Sequence, residues 1–140
     1  GRPAFVGTNI FVYAIAGDDR VRSEPADLLI VSLMTEMRLR TSTQVLQELY
    51  VTLTRKIKNP RSPEAARAHL DVIATWPVIV SDYSSIREAS ELSGESRLPF
   101  WDALIVVAAK RAGAPWLYTE DLSHGQIISG VEVVNPFVSC

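Results

Sequence analysis

Four short, largely apolar segments are spread along the chain, and none alternates apolar and polar residues over its whole length. They span residues 4–6, 78–80, 116–119 and 131–134. Continuous apolar strands are typical of a parallel sheet covered on both faces, whereas strands with one solvated face alternate. The pattern therefore predicts a buried, mainly parallel sheet.

Between these segments, apolar residues recur at helical spacing. Thr41 and Gln44 form a weak capping box, Ser62 before Pro63 is a stronger helix start, and Ser85 is the predicted cap of the next helix. The predicted helices span residues 8–16, 24–37, 41–56, 62–76, 85–94 and 101–112.

Alternating strands and helices predict a three-layer α/β/α sandwich with a mainly parallel sheet. The sequence has no internal repeat, low-complexity segment or linker-like stretch. We therefore expect residues 1–140 to form a single domain.

Composition and charge narrow the class of protein. The chain is 47% apolar and 21% charged, which is ordinary for a globular domain. Fourteen basic and sixteen acidic residues give a net charge of −2, so a nucleic acid would need a local basic patch. Cys140 is the single cysteine, and no apolar run is long enough to cross a membrane. Together these features predict a cytoplasmic protein without a membrane segment.

Common catalytic motifs are missing from the sequence. It contains no GxGxxG, GxxxxGK[ST], HExxH or GxSxG pattern. Dinucleotide binding, nucleoside-triphosphate binding, zinc proteolysis and serine hydrolysis therefore have no support.

The ends of the predicted strands are the expected place for chemistry. Open parallel sheets bind ligands beyond the carboxyl ends of their strands. Those positions are Gly7 to Asn9, Ser81-Asp82 and Glu120-Asp121. Asp121 is the best candidate, since it closely follows an apolar strand and precedes a polar turn.

Two further acids have competing interpretations. Asp102 lies in the first turn of an apolar helix, where a carboxylate complements the helix dipole whether or not it has another role. Glu48 shares a stripe with Gln44 and Thr52, away from the apolar face of its helix, and periodicity alone favours a solvated side chain. Sequence spacing leaves both alternatives open.

A cluster of such acids would have a clear physical meaning. Mg²⁺ and Mn²⁺ prefer oxygen ligands, and several carboxylates balance their charge. Without metal, two like charges 4 Å apart repel by about 4 kcal/mol at an effective dielectric of 20. Such a cluster would therefore persist for function and not for stability.

The densest positive run contains Arg55, Lys56 and Lys58. It follows the helix of Glu48, so it could hold nucleic-acid phosphates near the acids. Basic residues near a helix C-terminus also suit the helix dipole, and that alone would explain them.

Four motifs occur in an order that resembles PIN-domain proteins, and most closely the VapC toxins of toxin–antitoxin pairs. The resemblance covers essentially the whole chain. The motifs are Phe5-Val6-Gly7-Thr8-Asn9-Ile10, Gln47-Glu48-Leu49-Tyr50, Trp101-Asp102-Ala103-Leu104-Ile105 and Thr119-Glu120-Asp121-Leu122.

The resemblance implies a metal-dependent endoribonuclease. Glu48, Asp102 and Asp121 would be its catalytic carboxylates and would bind Mg²⁺ or Mn²⁺, while Asn9 and Thr119 would position them or the RNA substrate. It further implies a homodimer neutralised by a small antitoxin protein, whose tail covers the acidic pocket and often inserts a basic side chain.

Position 7 departs from the family pattern, which has an aspartate there. Gly7 supplies no ligand, so we expect metal binding and catalysis to be impaired. One interpretation is an inactivating change in a toxin that would otherwise poison its host. The other is a degenerate PIN domain that binds RNA or a protein partner without cutting.

Overall fold

A six-stranded sheet forms the middle layer of the protein in a computed structural model that describes residues 1–138. Its order is β3-β2-β1-β4-β6-β5, and every pair is parallel except β5 with β6. The strands are β1 (Ala4–Val6), β2 (Leu39–Ser42), β3 (Val78–Ile79), β4 (Trp116–Tyr118), β5 (Ile127–Ile128) and β6 (Val131–Val134).

Helices supply the outer layers, so the predicted three-layer α/β/α class is confirmed. A π-helical turn, Thr52–Lys56, directly continues the third helix. The helices are α1 (Thr8–Ala16), α2 (Arg20–Thr35), α3 (Thr43–Val51), α4 (Pro63–Ile73), α5 (Tyr83–Ser96) and α6 (Phe100–Arg111). None of them, within residues 1–138, combines the length and hydrophobicity needed to cross a bilayer.

Strand β2 was not predicted, because its residues are Leu-Arg-Thr-Ser and carry no apolar run. Thr41 and Ser42 are nevertheless fully buried. Thr41 donates a hydrogen bond from Oγ1 to the carbonyl of Val6, 3.3 Å away. The Oγ of Ser42 accepts from the backbone N–H of Val45 at 3.3 Å, so Ser42 caps α3 and the predicted cap at Thr41 is wrong.

Two helix starts also differ from the prediction. Helix α2 begins at Arg20, capped by Asp19, which leaves Pro25 inside the helix. Helix α5 begins at Tyr83, because the side chain of Asp82 accepts the N–H of Ser85 at 2.8 Å. The predicted cap at Ser85 is therefore wrong, and Asp82 takes that role, as aspartate does at helix N-termini.

The order of the strands fixes where a ligand can bind. From β1 the chain reaches β2 on one side and β4 on the other, so the crevice outside the carboxyl end of β1 is a topological switch point. Gly7 is the first residue beyond β1. The segments that follow β2 and β4 lie on either side of it.

Candidate functional site

The three acids predicted from the sequence line one small cavity at this switch point. Glu48 comes from α3, Asp102 from the first turn of α6, and Asp121 from the segment after β4. The cavity measures about 70 Å³, enough for a few waters or an ion but not for a nucleotide. We call it the acidic cavity; its other lining residues are Gly7, Thr8, Gln44, Trp101, Ile105, Thr119 and Leu122.

Glu48 is held by two hydrogen bonds. Thr8 donates from Oγ1 to its Oε1 at 2.6 Å, and Gln44 donates from Nε2 to its Oε2 at 3.2 Å. Gln44 is only 5% exposed, whereas Glu48, one turn further along α3, is exposed and Thr52 is half-buried. The solvent-exposed position that periodicity favours for Glu48 is confirmed, and the same side chain also lines the acidic cavity.

Asp121 is positioned from two directions. Asn9 donates from Nδ2 to its Oδ1 at 3.1 Å, and the Oγ1 of Thr119 accepts its backbone N–H at 3.1 Å. Thr119 is buried at the end of β4, whereas Asn9 lies in the first turn of α1. Asn9 therefore contacts an acid that is 112 residues away in sequence, and Thr119 holds the backbone of the acid two residues after it.

Sequence reasoning missed the role of Thr8 and Gln44. Gln44 lies four residues before Glu48, a spacing at which helical side chains meet. The contact between these two residues could therefore have been predicted from the sequence. The Nε2 of Gln44 also donates to the carbonyl of Trp101 at 3.2 Å, which ties α3 to the start of α6.

The two amides beside the cavity each leave an oxygen unpaired. The Oδ1 of Asn9 and the Oε1 of Gln44 are buried without a hydrogen-bond partner within residues 1–138. Their NH₂ groups face carboxylates, which can only accept when ionised, and this turns the oxygens away from the acids. The acidic cavity is thus flanked by unused acceptors.

The acids disfavour one another's charge. Burial, followed by the carboxylates of Asp121 and Glu48, raises the pKa of Asp102 above its ordinary value. Burial, then Glu120 and Glu48, raises the pKa of Asp121, against a lowering effect of the Asn9 hydrogen bond. The cavity is therefore strained by negative charge, and a cation would relieve that strain.

The donor chemistry suits Mg²⁺ or Mn²⁺, since carboxylate oxygens are the ligands these ions prefer. The arrangement is not a preformed ligand set, however. Among residues 1–138, no three His, Cys, Asp or Glu side chains converge closely enough to hold a metal ion. Glu48 and Asp121 are instead held by hydrogen bonds to their neighbours, and position 7 supplies no carboxylate.

Gly7 occupies a position that a side chain could fill. Its φ of −82° and ψ of 171° are ordinary extended values, so the backbone does not require glycine. A Cβ there would lie 3.4 Å from the carbonyl oxygen of Tyr118 and 3.6 Å from Cβ of Thr119. These are normal contacts, and the nearby Thr119 lines the acidic cavity.

Two other acids at strand ends do not join the site. Glu120 pairs with Arg22, Nε to Oε2 at 2.6 Å, and accepts a short hydrogen bond from the hydroxyl of Tyr13. Burial, then the Glu120 contact, raises the pKa of Tyr13 to about 12. Asp82 caps α5 and pairs with Arg111 at 3.2 Å. The ion pairs and hydrogen bonds of Glu120 and Asp82 therefore account for these two acids without a role in the acidic cavity.

Of the predicted basic residues, Lys56 alone lines a groove beside the acidic cavity, within the part of the chain that the structure describes. Arg55 and Lys58 are exposed and line neither of the grooves that contain Lys56. The π-helical turn ends at Lys56 and directs the chain away after it.

Replacing Asp102 by asparagine should stabilise the metal-free protein at pH 7. A raised folded-state pKa means that protonation favours the folded state, so the charged carboxylate lowers the free energy of unfolding at neutral pH. That penalty fades as pH falls towards the ordinary value of 3.8. Urea unfolding in EDTA at pH 7 and pH 4 should show a gain that shrinks on acidification.

The matched control is Asp71→Asn, which changes an exposed acid on α4. It should give no such pH-dependent gain. A less stable Asp102→Asn protein at pH 7 would contradict the repulsion that we infer.

Known proteins share both the sequence pattern and the fold. The sequence model of the PIN domain family matches residues 4–127. Ribonuclease VapC23 of Mycobacterium tuberculosis is 34% identical over 86 residues, which span 59% of this chain and 66% of that relative, just under two thirds.

Two solved structures are similar over most of their length. A toxin–antitoxin complex from Klebsiella pneumoniae superposes with a TM-score of 0.70 at 19% identity, covering 95% of this chain and 97% of the other. The sarcin–ricin loop-cleaving toxin VapC20 of Mycobacterium tuberculosis gives 0.63 at 24% identity, covering 84% and 89%. At these identities the likeness shows the fold. With a family match over most of its length, this chain belongs to the PIN-domain family, in which its relatives include VapC-type proteins.

Proposed function

We propose that this protein is a divalent-cation-dependent endoribonuclease of the VapC toxin type, with activity impaired by Gly7. The observation that carries the proposal is the meeting of Glu48, Asp102 and Asp121, from three separate elements, in one cavity at the switch point. The similarity to Ribonuclease VapC23 supports RNA as the substrate.

In this proposal the chain's own residues prepare the site. Glu48, Asp102 and Asp121 would hold Mg²⁺ or Mn²⁺, which supplies charge neutralisation and a more acidic bound water. Thr8 and Gln44 fix both oxygens of Glu48, so its carboxylate has a set orientation before any ligand arrives. Asn9 does the same for Oδ1 of Asp121.

The direct test is cleavage of single-stranded RNA with Mg²⁺ or Mn²⁺, followed by gel analysis. Asp121→Ala should abolish whatever cleavage the chain retains and weaken Mn²⁺ binding measured by calorimetry. Asp82→Asn, which changes an acid outside the cavity, should leave both unchanged. If Gly7→Asp confers no cleavage and Asp121→Ala changes no metal binding, the nuclease proposal is wrong.

A second candidate is a non-catalytic PIN domain that binds RNA or a protein. Gly7 and the absence of a convergent three-ligand group within residues 1–138 favour it. It predicts that restoring the aspartate adds no cleavage while the unaltered chain binds its partner at full strength.

We further propose a cytoplasmic homodimer that is neutralised by a small antitoxin. The similarity to a toxin–antitoxin complex supports this partner. The negative charge of the acidic cavity suits a basic antitoxin side chain. Co-purification of a small protein from the native host, lost after Asp121→Arg, would support it; capture unaffected by that change would place the partner elsewhere.

A further inference from the structure

We infer that Trp101 and Lys56 form a nucleotide subsite beside the acidic cavity, in which an unpaired RNA base stacks on the indole and Lys56 binds a phosphate. This inference rests on the proposed RNA substrate but not on catalysis. It concerns a groove of about 360 Å³, here called the tryptophan groove, lined by Gln44, Gln47, Glu48, Val51, Thr52, Lys56 and Trp101.

The first observation is the exposure of Trp101. Its side chain is 64% exposed, whereas Trp76 and Trp116 are half-buried. Phe100 supports it edge-to-face, with ring centroids 5.3 Å apart and an interplanar angle of 76°. Single-stranded nucleic acids are bound by such supported aromatic rings, because every base offers a flat face.

The second observation is continuity with the acids. Gln44, Glu48 and Trp101 line both the acidic cavity and the tryptophan groove. Trp101 directly precedes Asp102, and its carbonyl is fixed by Gln44. A base on the indole would therefore bring a neighbouring phosphodiester towards the acidic cavity. The groove is also of ligand size, whereas the acidic cavity is not.

The third observation is the cation in the same groove. Lys56 forms no salt bridge with any acidic side chain in residues 1–138. It also lines a second groove, of about 420 Å³, with Asn9, Tyr13 and Asp121, so it lies at the junction of two paths to the acids. An unpaired cation there suits a backbone phosphate, because it offsets the repulsion from the nearby carboxylates.

The π-helical turn explains how Lys56 reaches this position. In a regular α-helix, residues four apart drift by about 40° around the axis, so Lys56 would rotate away from Gln44 and Glu48. The wider turn, closed by the N–H of Ile57 donating to the carbonyl of Thr52 at 3.2 Å, reverses part of that drift. Lys56 therefore lines the same groove as Gln44, Glu48 and Thr52.

The test measures binding of a labelled single-stranded RNA hexamer by fluorescence anisotropy in Mg²⁺, with the RNA checked on a gel afterwards. Trp101→Ala should weaken binding by roughly 5- to 150-fold, the range for loss of one stacked base. Trp101→Phe should retain most of the affinity. Tyr83→Ala is the matched control, since Tyr83 is 73% exposed and lies outside the groove.

Two further measurements distinguish base stacking on Trp101 and phosphate binding by Lys56 from a non-specific loss of RNA affinity. Hexamers with abasic sites at every position should bind the original and Trp101→Ala proteins equally.

Lys56→Gln should reduce the slope of log Kd against log salt by about 0.7, the value for one phosphate on a single strand, whereas Arg67→Gln, an exposed position on α4 outside the groove, should not.

Unchanged RNA affinity in Trp101→Ala, or an equal loss for the abasic hexamer, would overturn the subsite. A shift in sedimentation on Trp101→Ala with RNA affinity retained would identify Trp101 as a protein contact instead. If the unaltered chain binds no RNA, the subsite and the proposed substrate fail together. If Gly7→Asp cuts nothing while the Trp101 effect persists, catalysis fails and the subsite stands.

Discussion

Replacing Gly7 by aspartate should raise Mn²⁺ affinity and metal-dependent RNA cleavage by on the order of 100-fold or more. Even an outer-shell partner of a metal typically contributes 10- to 100-fold, and a direct ligand contributes no less. The new carboxylate would start from the carboxyl end of β1, next to Thr119, which lines the acidic cavity. Calorimetry with Mn²⁺ and a gel-based RNA assay measure the two effects separately.

The fold should accept this change. The extended backbone at position 7 and the ordinary contacts that an added Cβ would make leave room for a side chain. Gly7 is also the N-cap of α1 and forms no side-chain cap, so aspartate would add a helix-capping acceptor worth a few tenths of a kcal/mol. Repulsion from the other acids opposes that gain until metal binds, so the midpoint of thermal unfolding should rise clearly only with Mn²⁺.

Gly7→Asn is the matched control, because it has the same shape and capping ability without the charge. Without metal, its free energy of unfolding should equal that of Gly7→Asp, apart from the charge repulsion that only the aspartate adds. It should gain neither Mn²⁺ affinity nor RNA cleavage. If the asparagine and aspartate variants behave alike with Mn²⁺ and RNA, the charge at position 7 has no catalytic meaning and the non-catalytic alternative is favoured.

Replacing Leu117 by alanine should lower the free energy of unfolding by about 2–5 kcal/mol. Leu117 is fully buried in β4, between Phe5 of β1 and Val133 of β6. Truncation there leaves a cavity next to one of the two central strands of the sheet. Because small domains are stable by only about 5–15 kcal/mol, the loss is a large fraction of the total.

Leu28→Ala provides the comparison for that experiment, since Leu28 is 61% exposed on α2 and undergoes the same chemical change. It should alter the free energy of unfolding by no more than about 0.5 kcal/mol. Urea unfolding monitored by circular dichroism measures both. Equal losses at the two positions would contradict the placement of Leu117 at the centre of the sheet.

The parts of the fold that sequence predicts well are those with strong local signals. The apolar runs of β1, β4 and β6 and the long apolar helix α6 occur close to their predicted positions. Strand β2 was not predicted because two of its buried residues, Thr41 and Ser42, are polar and satisfied by hydrogen bonds. A polar buried strand has no signature in the order of apolar residues.

In the candidate site, too, some residues have a local sequence signal and others depend on tertiary packing. Asp121 follows from the strand-end rule alone, because its strand is easily recognised. The placement of Glu48 and Asp102 depends on how α3 and α6 pack against the sheet, and a helix pattern does not contain that information. The amide of Gln44 and the π-helical position of Lys56 depend on contacts and backbone bonds that only the folded chain defines.

The ordinary backbone at Gly7 has a genetic consequence. Two of the glycine codons become aspartate codons by a single base change, and nothing in the fold around position 7 has to be rebuilt to accept the new side chain. A lineage carrying this chain could therefore switch the fourth carboxylate on or off in one mutational step. Selection on the proposed nuclease activity would act on that step alone, while the rest of the domain is preserved.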